Sequence, residues 1–303
     1  MVDRKSVGWF LIVAFAVSWA LFLLPLAFGA PGTAGHRGVA LPAWSVAMWG
    51  PGIAALLVTS RSKGHALREL RLNRLGPRGP YLWAWLLPPA LAIVAGALTV
   101  LLGLGRLDLT FPFFRQALEQ APSAPGVSVA LIVVAQIAFS LTLAPVINVA
   151  FALGEELGWR GFLLPHLLPL GQWRAILLSG AIWGIWHAPA IAQGHNYPGQ
   201  PVLGIFMMIA FCVSLGAILA WLYLRTGSPW VAALGHGSLN ATAGLAVFFL
   251  ATDLNMVWGG TLTSVAGIVA LILFVGWLAW SGRLPVKNLL AVSSPHPASH
   301  SAS

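Results

Sequence analysis

Three short stretches of this chain carry side chains able to do chemistry, and all three sit among apolar residues. The first is Gly154-Glu155-Glu156-Leu157-Gly158-Trp159-Arg160, two adjacent carboxylates and a guanidinium. The second is Trp183-Gly184-Ile185-Trp186-His187, with Pro189 close behind. The third is His236-Gly237-Ser238-Leu239-Asn240. A carboxylate, imidazoles and a polarising donor around water are the parts that hydrolysis needs. An ionisable side chain at the centre of a bilayer costs about 2.5–3.5 kcal/mol on insertion scales, so such groups mark function in a membrane-embedded chain.

Helical geometry divides the work within each stretch. At about 100° per residue, Glu156 and Arg160 share a face and can pair. Glu155 points away from that face, so Glu156 reads as the structural carboxylate and Glu155 as the one left for proton work. The bland alternative is a helix-end ion cluster that only fixes packing. Trp183 and His187 are again four apart, and Pro189 is expected to end or bend their helix. A lone histidine here could equally hydrogen-bond a backbone carbonyl. His236 and Asn240 share a face and both can donate. Donors in a dry site suit the charge that develops on a carbonyl oxygen during amide attack. Their bland alternative is interhelical hydrogen bonding, with Gly235 and Gly237 allowing close approach.

The elements that must hold these groups follow from composition. Of 303 residues, 58% are hydrophobic and 8% charged, and mean hydropathy is +0.85. A soluble protein carries about 25% charged residues, so a soluble enzyme, a disordered chain and a nucleic-acid-binding domain are excluded as whole-chain readings. The long apolar runs also exclude a β-barrel, whose strands alternate. The expected fold is an all-α, polytopic transmembrane helical bundle. Eight spans are expected near 7–29, 41–59, 80–104, 128–153, 174–191, 201–224, 228–250 and 259–280. They form one domain over 1–283, with the core that carries the three motifs at about 128–250 and a disordered tail at 284–303, where His296 and His300 take no part in chemistry. The first span is too long for the apolar region of a signal peptide and reads as retained.

Charge sets an expected orientation. With the N-terminus in the cytoplasm and eight alternating spans, thirteen of the sixteen Lys and Arg residues fall inside, six of them between Arg61 and Arg78. The positive-inside rule therefore puts both termini in the cytoplasm and the Glu155–Arg174 region near that face. The expected location is a bacterial plasma membrane, with the active site toward the cytoplasmic side. The 105–127 connection, with Phe111, Phe113 and Phe114 among charges, fits a helix lying on the membrane. Cys212 is the single cysteine, which excludes an internal disulfide and a zinc-thiolate cluster. The expected partners are the lipid bilayer and a membrane-associated peptide or protein substrate.

Taken together, Glu155-Glu156-x-x-x-Arg160, Trp183-x-x-x-His187 and His236-x-x-x-Asn240 resemble the three motifs of the CAAX-processing and bacteriocin-processing family. These are intramembrane proteases of the type II CAAX prenyl endopeptidase class. The resemblance covers about 150–245, and Trp183 stands where phenylalanine is usual. It implies that Glu155 and His187 activate the attacking water, that His236 and Asn240 form the oxyanion hole, and that Glu156 and Arg160 brace the first helix. Family members are commonly described as metalloproteases. Glu155, His187 and His236 would make an acceptable zinc set, yet the same groups serve a glutamate-base protease without metal. The implied reaction is hydrolysis of a peptide bond in a membrane-associated substrate, prenylated or not. Two other classes compete. One is a catalytically idle scaffold or bacteriocin-immunity-type protein. The other is a proton-coupled transporter, disfavoured because the polar residues cluster in one half of the chain.

Overall fold

In lipid every backbone N–H and C=O must be paired within the chain, which helices achieve segment by segment. The computed structural model describes residues 2–63, 65–119 and 128–289. Among these residues the chain is helical throughout, apart from turns and one isolated antiparallel bridge between Leu107 and Leu250. Helix α1 (Arg4–Leu23) runs on as a 3-10 turn, and α2 (Ala34–Ala47) and α3 (Gly50–Lys63) follow. The short α4 (Ala66–Glu69) lies in the basic stretch before α5 (Gly79–Leu101). Then come α6 (Pro112–Glu119), α7 (Val129–Leu141) and α8 (Leu143–Glu156), the last continuing as a π-helical segment, Leu157–Leu163. After α9 (Leu164–Leu167) and a 3-10 turn to Leu170 come α10 (Gln172–Trp186) and α11 (Ala188–Ala192). The long α12 (Pro201–Thr226), then α13 (Pro229–Thr242) and α14 (Val265–Trp280), complete the bundle.

The helix ends follow local chemistry. Asp3 caps α1 by accepting the Ser6 N–H at 3.1 Å, and Ser264 caps α14 by accepting that of Gly267 at 3.2 Å. α12 stops at Gly227, whose φ of 62° is a left-handed conformation that glycine adopts without penalty. Leu101, Ile93, Val202 and Trp280 face outward, as a lipid-facing surface requires.

Span lengths depart from the sequence reading in three places. Among the described residues five helical stretches are long and apolar enough to cross a membrane, and the pair α7 and α8–Leu170, bent by 45°, makes up to six if it is one broken span. The expected fifth and eighth spans are shorter: α10 has 15 residues and α14 has 16, against about 20 for a straight crossing. The helix of α10 closes at Trp186 and restarts at Ala188, where Pro189 follows. The largest departure is in the fourth span, expected to end at residue 153. The helix instead continues past Glu155 to Leu170, which at 1.5 Å per residue is about 25 Å further. Glu155 is therefore followed by further helical turns rather than standing at the end of the span. Hydropathy hid this, because Glu155, Glu156 and Arg160 interrupt the apolar run without interrupting the backbone.

The chain also stays packed beyond Arg283. Leu284 and Val286 are buried, and the Gln172 side chain exchanges two 2.8 Å hydrogen bonds with the Val286 backbone. The rest of the expected tail, from 290 onward, lies outside the described residues, as does the 120–127 part of the expected interfacial segment. The described part of that segment includes α6, with Phe114 packed edge-on against Phe248 at 4.8 Å.

Two glycines decide how closely the site-bearing helices approach. A Cβ on Gly184 of α10 would fall 2.5 Å from the Ile209 Cα of α12, and one on Gly237 of α13 would fall 2.7 Å from the Pro145 O of α8. No side chain fits at either place, so small residues let these backbones come together. α8, α10 and α13 are held close enough for side chains from all three to meet.

Candidate active site

The meeting point of these helices is built around two carboxylates that follow each other in the chain. Glu155 and Glu156 end α8, and both are buried, at 2% and 0% exposure. The turn that follows is π-helical rather than α-helical, a widening that recurs at functional sites. The four-residue pairing survives it: Arg160 Nη1 donates to Glu156 Oε1 at 2.9 Å.

Glu156 has a second partner that the sequence reading did not foresee. His236 Nδ1 lies 2.9 Å from the same Oε1. An ionised carboxylate only accepts, so the imidazole carries its proton on Nδ1. Glu156 thus ties its own helix, through Arg160, to α13. Its other oxygen, Oε2, is buried with no hydrogen-bond partner among the described residues.

Glu155 is not free, as expected, but held by two indoles. Trp183 Nε1 donates to Oε2 at 2.5 Å, and Trp159 Nε1 donates to the same oxygen at 3.3 Å. Trp183 was expected only as a supporting aromatic. Its ring also takes the Arg160 guanidinium on its face at 4.3 Å and meets the His236 ring edge-on at 5.3 Å. Its backbone carbonyl accepts from His187 Nδ1 at 2.9 Å. That bond puts the proton of a neutral His187 on Nδ1 and leaves Nε2 with its lone pair. Cys212 Sγ is 3.8 Å from the same Nδ1.

The structure therefore gathers Glu155, Glu156, Arg160, Trp183 and His236 into one connected cluster, with His187 joined to it through the Trp183 carbonyl. Asn240 lies on α13 one turn beyond His236, and its side chain is exposed. Beyond His187, the 193–199 segment faces α2 across a cavity of about 650 Å³ lined by residues that include His36, Arg37, Trp44, Gln193 and His195.

The zinc set read from the sequence does not assemble. Among the described residues, no three His, Cys, Asp or Glu side chains stand together as metal ligands. Glu155 Oε2 is committed to two indoles and His236 Nδ1 to Glu156. Of the contacts the sequence reading missed, one had a signal: Trp159 is four residues after Glu155 and so shares its helical face. The bonds from Trp183 to Glu155 and from His236 to Glu156 join positions 28 and 80 residues apart and leave no local trace.

Comparison with known proteins agrees with the three motifs. Residues 136–242 match the family model described as type II CAAX prenyl endopeptidase Rce1-like. The chain is also similar to CAAX prenyl protease 2 of Methanococcus maripaludis, with 28% identity over 144 residues, 44% of this chain and 51% of that protein. The chain thus spans about half the length of the curated relative it matches. All three motifs lie inside the matched segment, so the similarity covers the residues that carry them.

Proposed function

We propose that this chain is a CAAX-type intramembrane endopeptidase that uses Glu155 as its base. The observation that carries the reading is the Glu155 carboxylate itself. It is buried, bound through one oxygen only, and accepts no hydrogen bond at Oε1 from the described residues. In the proposed reaction Oε1 takes one proton from a water as that water's oxygen bonds to the substrate carbonyl carbon. His187 Nε2 shares in orienting the water. The carbonyl oxygen becomes an oxyanion and accepts hydrogen bonds from Asn240 and His236. Since His236 Nδ1–H is spent on Glu156, donation from its Nε2 requires the doubly protonated ring. Collapse breaks the C–N bond, and the proton held by Glu155 passes to the leaving amine.

We assign the mechanism to a glutamate base without a metal step, because no three of the candidate ligands stand together among the described residues. Dialysis against a strong chelator is expected to leave cleavage intact; loss that zinc restores would contradict the assignment. The substrate is a membrane-associated peptide or protein, with prenylation as one form. The orientation proposed from charge keeps both termini and the 61–78 stretch in the cytoplasm of a bacterial cell. The site then belongs toward the cytoplasmic side of that membrane.

The test compares wild type with Glu155→Gln, expressed at equal levels in the native host, by mapping membrane-proteome termini with mass spectrometry. General-base catalysis is worth about 10²–10⁴-fold, so termini generated by wild type are expected to vanish in the variant. Identical maps from two folded proteins would favour the idle scaffold.

A further inference from the structure

We propose that Trp159 and Trp183 form a twin indole clamp that occupies Oε2 of Glu155 and thereby fixes Oε1 as the atom that receives the water's proton. The inference rests on Glu155 being the base and deepens that reading.

Both indole N–H groups converge on one oxygen, at 2.5 Å from α10 and 3.3 Å from the π-helical segment. An indole N–H is a donor only, so neither partner can take a proton from Oε2 or from water. With both donors on Oε2, Oε1 is the accepting atom left open. The rings cannot swing away. Trp159 is wedged edge-on against Phe10 at 5.7 Å and Trp186 at 5.9 Å, and Trp183 is held between Arg160 and His236. Trp183 also fixes the second reacting group, since its carbonyl holds His187 Nδ1–H and turns Nε2 into the lone-pair nitrogen. One residue thereby positions the carboxylate through its side chain and the imidazole through its backbone.

Packing alone does not account for this placement. Trp186 and Trp221 are equally buried in this bundle, and their indole nitrogens have no hydrogen-bond partner among the described residues. Tryptophan can fill space here without bonding. Trp159 and Trp183 fill space and place their nitrogens on the same atom.

The test uses the full chain in lipid vesicles. Trp159→Phe and Trp183→Phe remove one donor each, and Trp221→Phe removes a buried indole N–H that has no partner among the described residues and whose ring does not touch the clamp. Infrared difference spectra against Glu155→Gln isolate the carboxyl band of Glu155, a readout independent of cleavage. The clamp predicts that this band shifts in Trp159→Phe and Trp183→Phe and stays in place in Trp221→Phe. A charge-assisted hydrogen bond corresponds to a fall in kcat of about tenfold to a hundredfold for each clamp variant, with KM unchanged. Replacing Trp183 by benzothienylalanine, which keeps the ring shape and lacks the N–H, gives the same result if Trp183→Phe fails to fold. An unshifted band in both clamp variants would overturn the proposal, as would a shifted band with unchanged kcat. Failure of the base reading shows separately, as cleavage by Glu155→Gln.

Discussion

Glu155 and Glu156 are neighbours in the chain, equally buried, and bound in different ways. Glu156 is met by charge and by a group that can carry charge, Arg160 and His236, both on one oxygen at 2.9 Å. Glu155 is met by two neutral indoles. A carboxylate bonded to a guanidinium on its own helix and to an imidazole on another serves as a joint between helices. A carboxylate held by neutral donors is oriented while its charge stays unneutralised, which leaves it able to take up a proton. On the proposed reading, bracing and chemistry are separated within two consecutive residues.

Perturbing the bracing side should cost stability first. Arg160→Met leaves Glu156 buried beside His236 alone, and breaking a buried pair from one side costs about 3–5 kcal/mol. Reversible unfolding in bicelles measures this loss. The double variant Glu156→Gln/Arg160→Met should recover part of it, because no charge is then stranded; a double variant worse than Arg160→Met would break the contrast. Closing the gap between α8 and α13 should cost less. Gly237→Ala adds a Cβ 2.7 Å from the Pro145 O, and overpacking of this kind costs about 1–3 kcal/mol. The same variant should lower cleavage by displacing His236. The smallest effect belongs to the surface pair Arg106–Asp253, at 2.7 Å but 78% and 64% exposed. Asp253→Asn should change stability by under about 1 kcal/mol, so a loss matching Arg160→Met would show that burial does not set the difference.

Much of the site was legible because it is written at helical spacing. Glu156–Arg160 pairs as the four-residue rule requires, and the three motifs fall on three helices that do converge. The membrane class followed from scarcity of charge alone. What stayed hidden was tertiary. The bond from His236 to Glu156 turns a residue expected as an oxyanion donor into a bracing partner as well, and only the approach of α13 to α8 reveals it. The end of the fourth span was misread because hydropathy marks the end of an apolar run, whereas a helix ends only where its backbone bonding does. The π-helical turn after Glu156 likewise changes the angular step that a uniform helix assumes.

The division of labour can be tested on purified protein in vesicles, using a cleaved sequence identified from the termini maps. Wild type, Glu155→Gln and Glu156→Gln are compared for initial cleavage rate and unfolding midpoint in the same preparation. The account predicts that Glu155→Gln unfolds near wild type while its rate falls by about 10²-fold or more, and that Glu156→Gln unfolds earlier while its folded fraction still cleaves. A well-folded Glu156→Gln without activity, beside an active Glu155→Gln, would contradict it and exchange the two roles.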